Sequence, residues 1–215
     1  MDQQLLFLIN RVWTHPVLDR VMAAASSFDL WWPFLAAGGI LAVAFGSFRL
    51  RVMLLAIGIA VGITDGLVVD TLKGIVGRPR PHDALEGVRS LDLARAKPRF
   101  LAVFQPLEID YSVARIQARR GNSFPSGHAA NNFAVAAVIA AFYRKRGWLA
   151  FFPAALVAYS RIYVGSHWPL DVAISCLIGT GIGMLTCAAM EALWRRWGEF
   201  WMPGWRERHP SLLTA

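Results

Sequence analysis

This sequence is short of charge. Only 17% of its 215 residues are Asp, Glu, Lys or Arg, against roughly 25% in soluble domains. Hydrophobic residues make up 56% of the chain and the mean hydropathy is +0.43. That balance excludes an ordinary soluble domain and points to a membrane protein of single-domain length. Cysteine is nearly absent too. Cys176 and Cys187 share one apolar segment and are separated by about three helical turns, roughly 16 Å, too far to pair within one helix. They read as small packing residues. No Cys/His ligand set suits zinc and no carboxylate cluster suits magnesium, so metal-free, cofactor-free chemistry is preferred. The N-terminus MDQQLLFLIN lacks a basic leader and a small-residue cleavage site, so no signal peptide is expected. Acidic residues are outnumbered, 14 to 22 Lys and Arg, for a net charge of +8. The arginines lie between hydrophobic runs rather than along one soluble face. Their partners are therefore expected to be anionic membrane lipids rather than nucleic acid.

Five segments are apolar enough to read as membrane spans, which need about 20 helical residues: 30–48, 52–72, 126–143, 148–164 and 172–190. The fourth must borrow flanking residues. Residues 1–28 mix Leu5, Leu6, Leu8 and Ile9 with Arg11, His15, Asp19 and Arg20, a pattern that suits an interfacial amphipathic helix. The expected fold is all-α, a polytopic membrane bundle of about five spans after that helix, with a cytoplasmic interfacial tail over 192–215. Arg49 and Arg51, Arg144 to Arg146, and Arg195 and Arg196 fall on one side when the spans alternate, which the positive-inside rule makes cytoplasmic. Trp31, Trp32, Trp148, Trp194 and Trp197 then fall near the interfaces. The end of the second span, the start of the third and the junction of the last two meet at the opposite face.

Every unusual polar residue sits at one of those points. In LKGIVGRPRP, Lys73, Arg78 and Arg80 lie at a helix end terminated by Pro79 and Pro81. They read either as snorkelling cations or as guanidinium and ammonium groups gathered for a phosphate dianion. In PSGH, Ser126 reads as a helix cap, and Gly127 permits close backbone approach. The helix start there offers unpaired N–H groups to an anion. Asn131 and Asn132 suit interhelical hydrogen bonds better than a ligand. In SRIYVGSHWPLD, Arg161 needs a protein or water environment. With Pro169 in the first helical turn, Asp171 can fold back to accept Nδ1–H of His167, which leaves Nε2 as a nucleophile. The joint reading is a phosphate site, set against a bland one of caps, snorkelling cations and a structural His–Asp pair.

At these residues the sequence resembles the type 2 phosphatidic acid phosphatase superfamily of membrane lipid phosphatases. Its three motifs are met in order by Lys73 with Arg80-Pro81, by Pro125 to His128, and by Ser160, Arg161, His167 and Asp171. The resemblance covers roughly residues 50–190. It implies that His167 attacks phosphorus to form a phosphohistidine, with Asp171 orienting it. It further implies that His128 protonates the leaving group and later activates water. Lys73, Arg80, Arg161, Ser126 and the Gly127 backbone would hold the phosphoryl oxygens. Arg78 is outside the strict motif and is auxiliary. No metal is implied.

The resemblance leaves the lipid open. Undecaprenyl diphosphate, lipid A 1-phosphate, phosphatidylglycerol phosphate and phosphatidic acid all qualify, with the polyprenyl diphosphate favoured and the site expected to face the periplasm from a bacterial inner membrane. Phosphate transfer to another lipid is also allowed. Soluble vanadium haloperoxidases share the motifs, but five apolar spans argue against them. A non-catalytic lipid-binding protein would have no reason to keep both histidines with Asp171. The long segment 82–124, with Leu85, Val88, Leu91 and Leu93 among charges, reads as a helix lying on the membrane over the site, gating or selecting substrate.

Overall fold

A computed structural model describes residues 1–113 and 121–213. Helix α1 (Asp2–Phe7) runs into a π-helical turn (Leu8–Val12), and α2 (Pro16–Ser26) follows. Pro16 opens α2, and the His15 ring accepts from Val17 N at 3.3 Å. Residues 1–28 are therefore not one interfacial helix but two short ones bent at Trp13–His15, with Leu6, Ile9, Met22 and Ala23 buried against the bundle. The bend follows from proline fixing a helix start where a continuous helix would need an N–H.

Helix α3 (Phe28–Phe45) buries only Leu30. Helix α4 (Phe48–Ile63), whose Leu50 N bonds Ser47 Oγ at 3.3 Å, passes through a second π-helical turn (Thr64–Val69) into α5 (Asp70–Val76). Gly77, at φ 58°, ends it in the left-handed conformation that glycine tolerates. A one-turn helix α6 (Pro81–Ala84) leads into the hairpin β1 (Arg89–Leu93) and β2 (Leu107–Tyr111). Then come α7 (Gly127–Phe142), α8 (Arg144–Gly147), α9 (Phe151–Tyr163), the long α10 (Pro169–Trp201) and α11 (Pro203–Arg208).

Three stretches are long and apolar enough to cross a membrane: Phe28–Phe45, Phe48–Ala84 and Pro169–Trp201. Helices α7 and α9, of 16 and 13 residues, are shorter than the roughly 20 a span needs, so helix length alone does not yield five spans. Helix α7 is nonetheless the centre of the bundle, packed on α4, α9 and α10. Its inner faces are alanine: Ala129, Ala130, Ala134, Ala136 and Ala137 are all buried. Opposite them on α10, a Cβ at Gly179 would fall 2.0 Å from Ala130 O, and one at Gly183 2.5 Å from Ala134 O. Small residues four apart thus let the two backbones touch, the packing mode that works where lipid removes the hydrophobic drive.

The segment over the site is the main departure from expectation. It is a hairpin, not a helix, pairing Arg89 with Tyr111, Leu91 with Ile109 and Leu93 with Leu107. Arg89, Leu91 and Leu93 are buried and alternate with exposed Ser90 and Asp92, a period of two rather than 3.6. Asn10 clamps it, accepting from Arg89 N at 2.8 Å and donating to the carbonyls of Arg89 and Tyr163, each at 2.7 Å. Arg89 also pairs with Asp19. Residues 114–120 of the expected lid lie outside the described residues. At the other end, Arg49 donates to the carbonyls of Phe142 and Leu213, and Leu212 N bonds Glu191 at 2.7 Å. The tail therefore folds back on the bundle, and the three basic clusters share the end opposite the polar motifs.

The α7–α10 contact predicts opposite effects of one methyl group. Gly179→Ala should destabilise the folded protein by about 1–3 kcal/mol through overpacking. Gly181→Ala, with nothing within 4 Å of its Cβ, should be neutral or stabilising by up to about 1 kcal/mol. Thermal unfolding of the two variants in one detergent checks the contrast.

Candidate active site

The helices deliver the three motifs to one end of the bundle. Lys73 lies in the last turn of α5 and Arg80 caps α6. Ser126 occupies the cap position of α7, one residue before Gly127 and two before His128. Arg161 lies in the last turn of α9, His167 in the turn that follows, and Asp171 in the first turn of α10. The loop before α7 is strapped to the loop after α5: Gly121 N bonds Gly77 O at 3.0 Å and Ser123 N bonds Arg78 O at 2.9 Å. Trp168 Nε1 donates to Pro79 O at 2.8 Å, and Ser126 N to Ser175 Oγ at 2.8 Å.

His167 is 3% exposed. Its Nδ1 lies 2.7 Å from the carbonyl of Ser123. A carbonyl can only accept, so Nδ1 carries the proton and Nε2 keeps its lone pair. The expected partner was Asp171, and it is engaged elsewhere. Asp171 Oδ2 accepts from Ser123 Oγ at 2.6 Å, and Oδ1 accepts from Arg78 at 2.5 Å. Asp171 therefore fixes the imidazole at one remove, by holding the residue whose carbonyl holds the ring. Ser123, fully buried, joins all three motifs, and its sequence context GNSF carries no signal that would single it out.

Arg78 is drawn away from any ligand. It bridges Asp171 and Asp2, the latter at 2.6 Å, and its guanidinium lies 4.8 Å over the Trp168 ring. Arg80 and Arg161 remain close enough to act electrostatically on His167, as does His128. Arg161, Asp65, Lys73 and Arg80 act on His128, which Phe28 also meets edge-on at 6.5 Å. Arg80 Nε, Arg161 Nε and Ser126 Oγ are buried without a hydrogen-bond partner among the described residues. Such groups are costly unless something completes them. Ser126 is thus a cap by position only, because its hydroxyl makes no capping bond. Asn132 bonds its own helix at His128 O, 2.9 Å, rather than a neighbouring one, because a side-chain amide can reach the carbonyl four residues back.

Two histidines, three cations and a helix start therefore lie at one end of the bundle, within electrostatic reach of one another. Residues 49–195 match the PAP2 superfamily. The chain belongs to that superfamily. A lipid A 4'-phosphatase of Bacteroides thetaiotaomicron is 30% identical over 187 residues, covering 83% of this chain and 72% of that protein. An undecaprenyl-diphosphatase of Sulfolobus acidocaldarius is 45% identical over 65 residues, 30% of this chain and 32% of that one. The crystal structure of Aquifex aeolicus LpxE superposes with a TM-score of 0.58 at 28% identity, over 86% of this chain and 93% of that chain. This PAP2 protein is a membrane-embedded hydrolase of phosphoric ester bonds.

Burial, with the cations of Arg161 and Arg80 nearby, pushes the imidazole of His167 down to about 3. It is therefore neutral at any pH above that, and a neutral ring is a nucleophile. The unfolded chain protonates the same ring below about 6.5, so acid costs folded stability progressively between those two values. NMR of imidazole-labelled protein should show no titration of His167 between pH 8 and 5. A midpoint near 6.5 would contradict the burial.

Proposed function

We propose that this PAP2 enzyme hydrolyses the phosphate end group of a membrane lipid through a phosphohistidine at His167. The observation that carries the reading is the His167–Ser123 bond, which presents a neutral Nε2 beside Arg80 and Arg161. Nε2 attacks phosphorus as the bond to the lipid oxygen breaks, and His128 delivers its proton to that oxygen. His128, now neutral, takes a proton from water as the water oxygen attacks phosphorus, the P–N bond breaks and phosphate leaves. Lys73, Arg80 and Arg161, with the Ser126 hydroxyl and the Gly127 amide, hold the phosphoryl oxygens while charge shifts. Arg78 and Asp171 shape the loop and touch no substrate. With the basic clusters on the cytoplasmic side, the site opens to the periplasmic face of a bacterial inner membrane.

An apolar cavity of about 660 Å³, lined by Val17, Val21, Ala24, Trp31, Val103 and Leu156, suits a hydrocarbon chain. Its wall also includes Ala25, the residue before Ser26, whose hydroxyl and carbonyl accept from Arg161. The chain thus runs directly from the cavity wall to the group that holds Arg161, the cation that would bind the headgroup. Similarity along most of the chain favours a phosphate of a lipid A-like saccharolipid. Undecaprenyl diphosphate is the second reading, favoured by the higher identity over the short match.

His167→Ala should lower turnover by at least about 10³-fold while the protein remains folded. A phosphoenzyme labile to acid and stable to base should accumulate in wild type when the reaction is quenched. Turnover near wild type in His167→Ala would exclude the nucleophile. Phosphate release from lipid A, undecaprenyl diphosphate, phosphatidylglycerol phosphate and phosphatidic acid, measured side by side with chelator present, decides the substrate.

A further inference from the structure

The segment that carries Lys73 to the site holds another charge that the motifs leave unused. Asp65 lies inside the membrane-length stretch Phe48–Ala84, within the π-helical turn Thr64–Val69. Such turns concentrate at functional places, because the extra residue re-aims side chains along the helix. A carboxylate at this depth is costly and calls for a partner. Among the described residues no hydrogen bond or ion pair engages the carboxylate of Asp65, whose backbone carbonyl accepts from Asp70 N. Its neighbour in space is the start of α7: a Cβ on Gly127 would stand 3.3 Å from Asp65 Oδ1. The next residue is His128.

Besides Asp65, the charged and titratable groups around His128 come from four other elements: Arg161 from α9, Lys73 from α5, Arg80 from the α6 cap, and the neutral His167 from the turn before α10. The first three are cations, and each opposes a proton on His128. Asp65 is the carboxylate that acts on it in the other sense. A general acid must hold its proton beside those cations until the leaving oxygen takes it. We propose that Asp65 is a positioning residue for this step: its carboxylate is the counter-ion of the His128 imidazolium and keeps His128 protonated in the enzyme–substrate complex. The proposal rests on the reading of His128 as the general acid.

Removing the counter-ion should hurt only reactions that need the acid. A nitrophenyl phosphate expels a stable phenolate without a proton, whereas dodecyl phosphate does not. Asp65→Asn should lower kcat for dodecyl phosphate by roughly tenfold or more, within the range general acids contribute, and change nitrophenyl phosphate by less than about twofold. The alkaline limb of kcat for dodecyl phosphate should move about one pH unit to lower pH. Asp65→Glu, which keeps the charge, should restore most of both. His128→Ala run alongside should show the same leaving-group dependence, larger.

An equal loss on both substrates with an unmoved alkaline limb would make Asp65 merely structural and overturn the proposal. No loss on either substrate would do the same. Because His128 also activates water in the step both substrates share, the comparison is read on leaving-group release in the first turnover. If His128→Ala slows release of dodecanol and nitrophenolate alike there, the general-acid reading fails and the Asp65 proposal with it; if only Asp65→Asn lacks the dependence, the Asp65 proposal fails alone.

Discussion

Asp171 has no exposed surface, and the site end of the bundle is arranged around compensating its charge. A buried carboxylate without partners costs several kcal/mol, so the chain brings two segments to it. Arg78 arrives from the end of α5 and Ser123 from the loop before α7. The carbonyl of Asp171 accepts from Ser175 Oγ at 2.6 Å, and that oxygen accepts from Ser126 N. Once those bonds are made, the Ser123 carbonyl is fixed where His167 needs an acceptor. The orientation of His167, the proposed nucleophile, is thus a by-product of satisfying a buried charge. Arg78 completes the arrangement by binding Asp2, whose other oxygen accepts from Leu170 N at 2.9 Å, so the N-terminal helix is tied to the same centre.

Around this neutralised centre the remaining cations are left uncompensated. Arg161 donates only to Ser26, and Arg80 and Arg161 keep buried nitrogens without acceptors. In a medium of low dielectric constant such groups attract a dianion far more strongly than they would in water. They also keep His167 neutral. Two classes of arginine, one paired with carboxylates and one left with a buried nitrogen unpartnered, stand two residues apart at Arg78 and Arg80. The bundle keeps them apart by giving Arg78 two carboxylates.

The hairpin of β1 and β2 shows where periodicity misleads. Val88, Leu91 and Leu93 can be placed on a helix face or on a strand face, and the sequence between them does not choose. The choice is made by Asn10 and Asp19, far away in sequence, which supply acceptors and donors for the buried backbone and side chain of Arg89. Likewise, apolar runs identify the lipid-facing stretches because burial in lipid needs only composition. The lengths of α7 and α9 are set by where flanking loops cap them.

What the sequence by itself determined is chemical: the membrane class, the family, and the selection of Lys73, Arg80, Ser126, His128, Arg161, His167 and Asp171 as the motif residues from which the proposed site is drawn, because residue types at fixed spacing along helices need no long-range information. What only the tertiary structure decided is pairing. That Asp171 serves Ser123 and Arg78 rather than His167, and that Asp65 stands against Gly127, depend on which helix ends meet. Those meetings are set by α7 and α10 closing on Ala130–Gly179 and Ala134–Gly183, a contact between residues with no chemistry of their own.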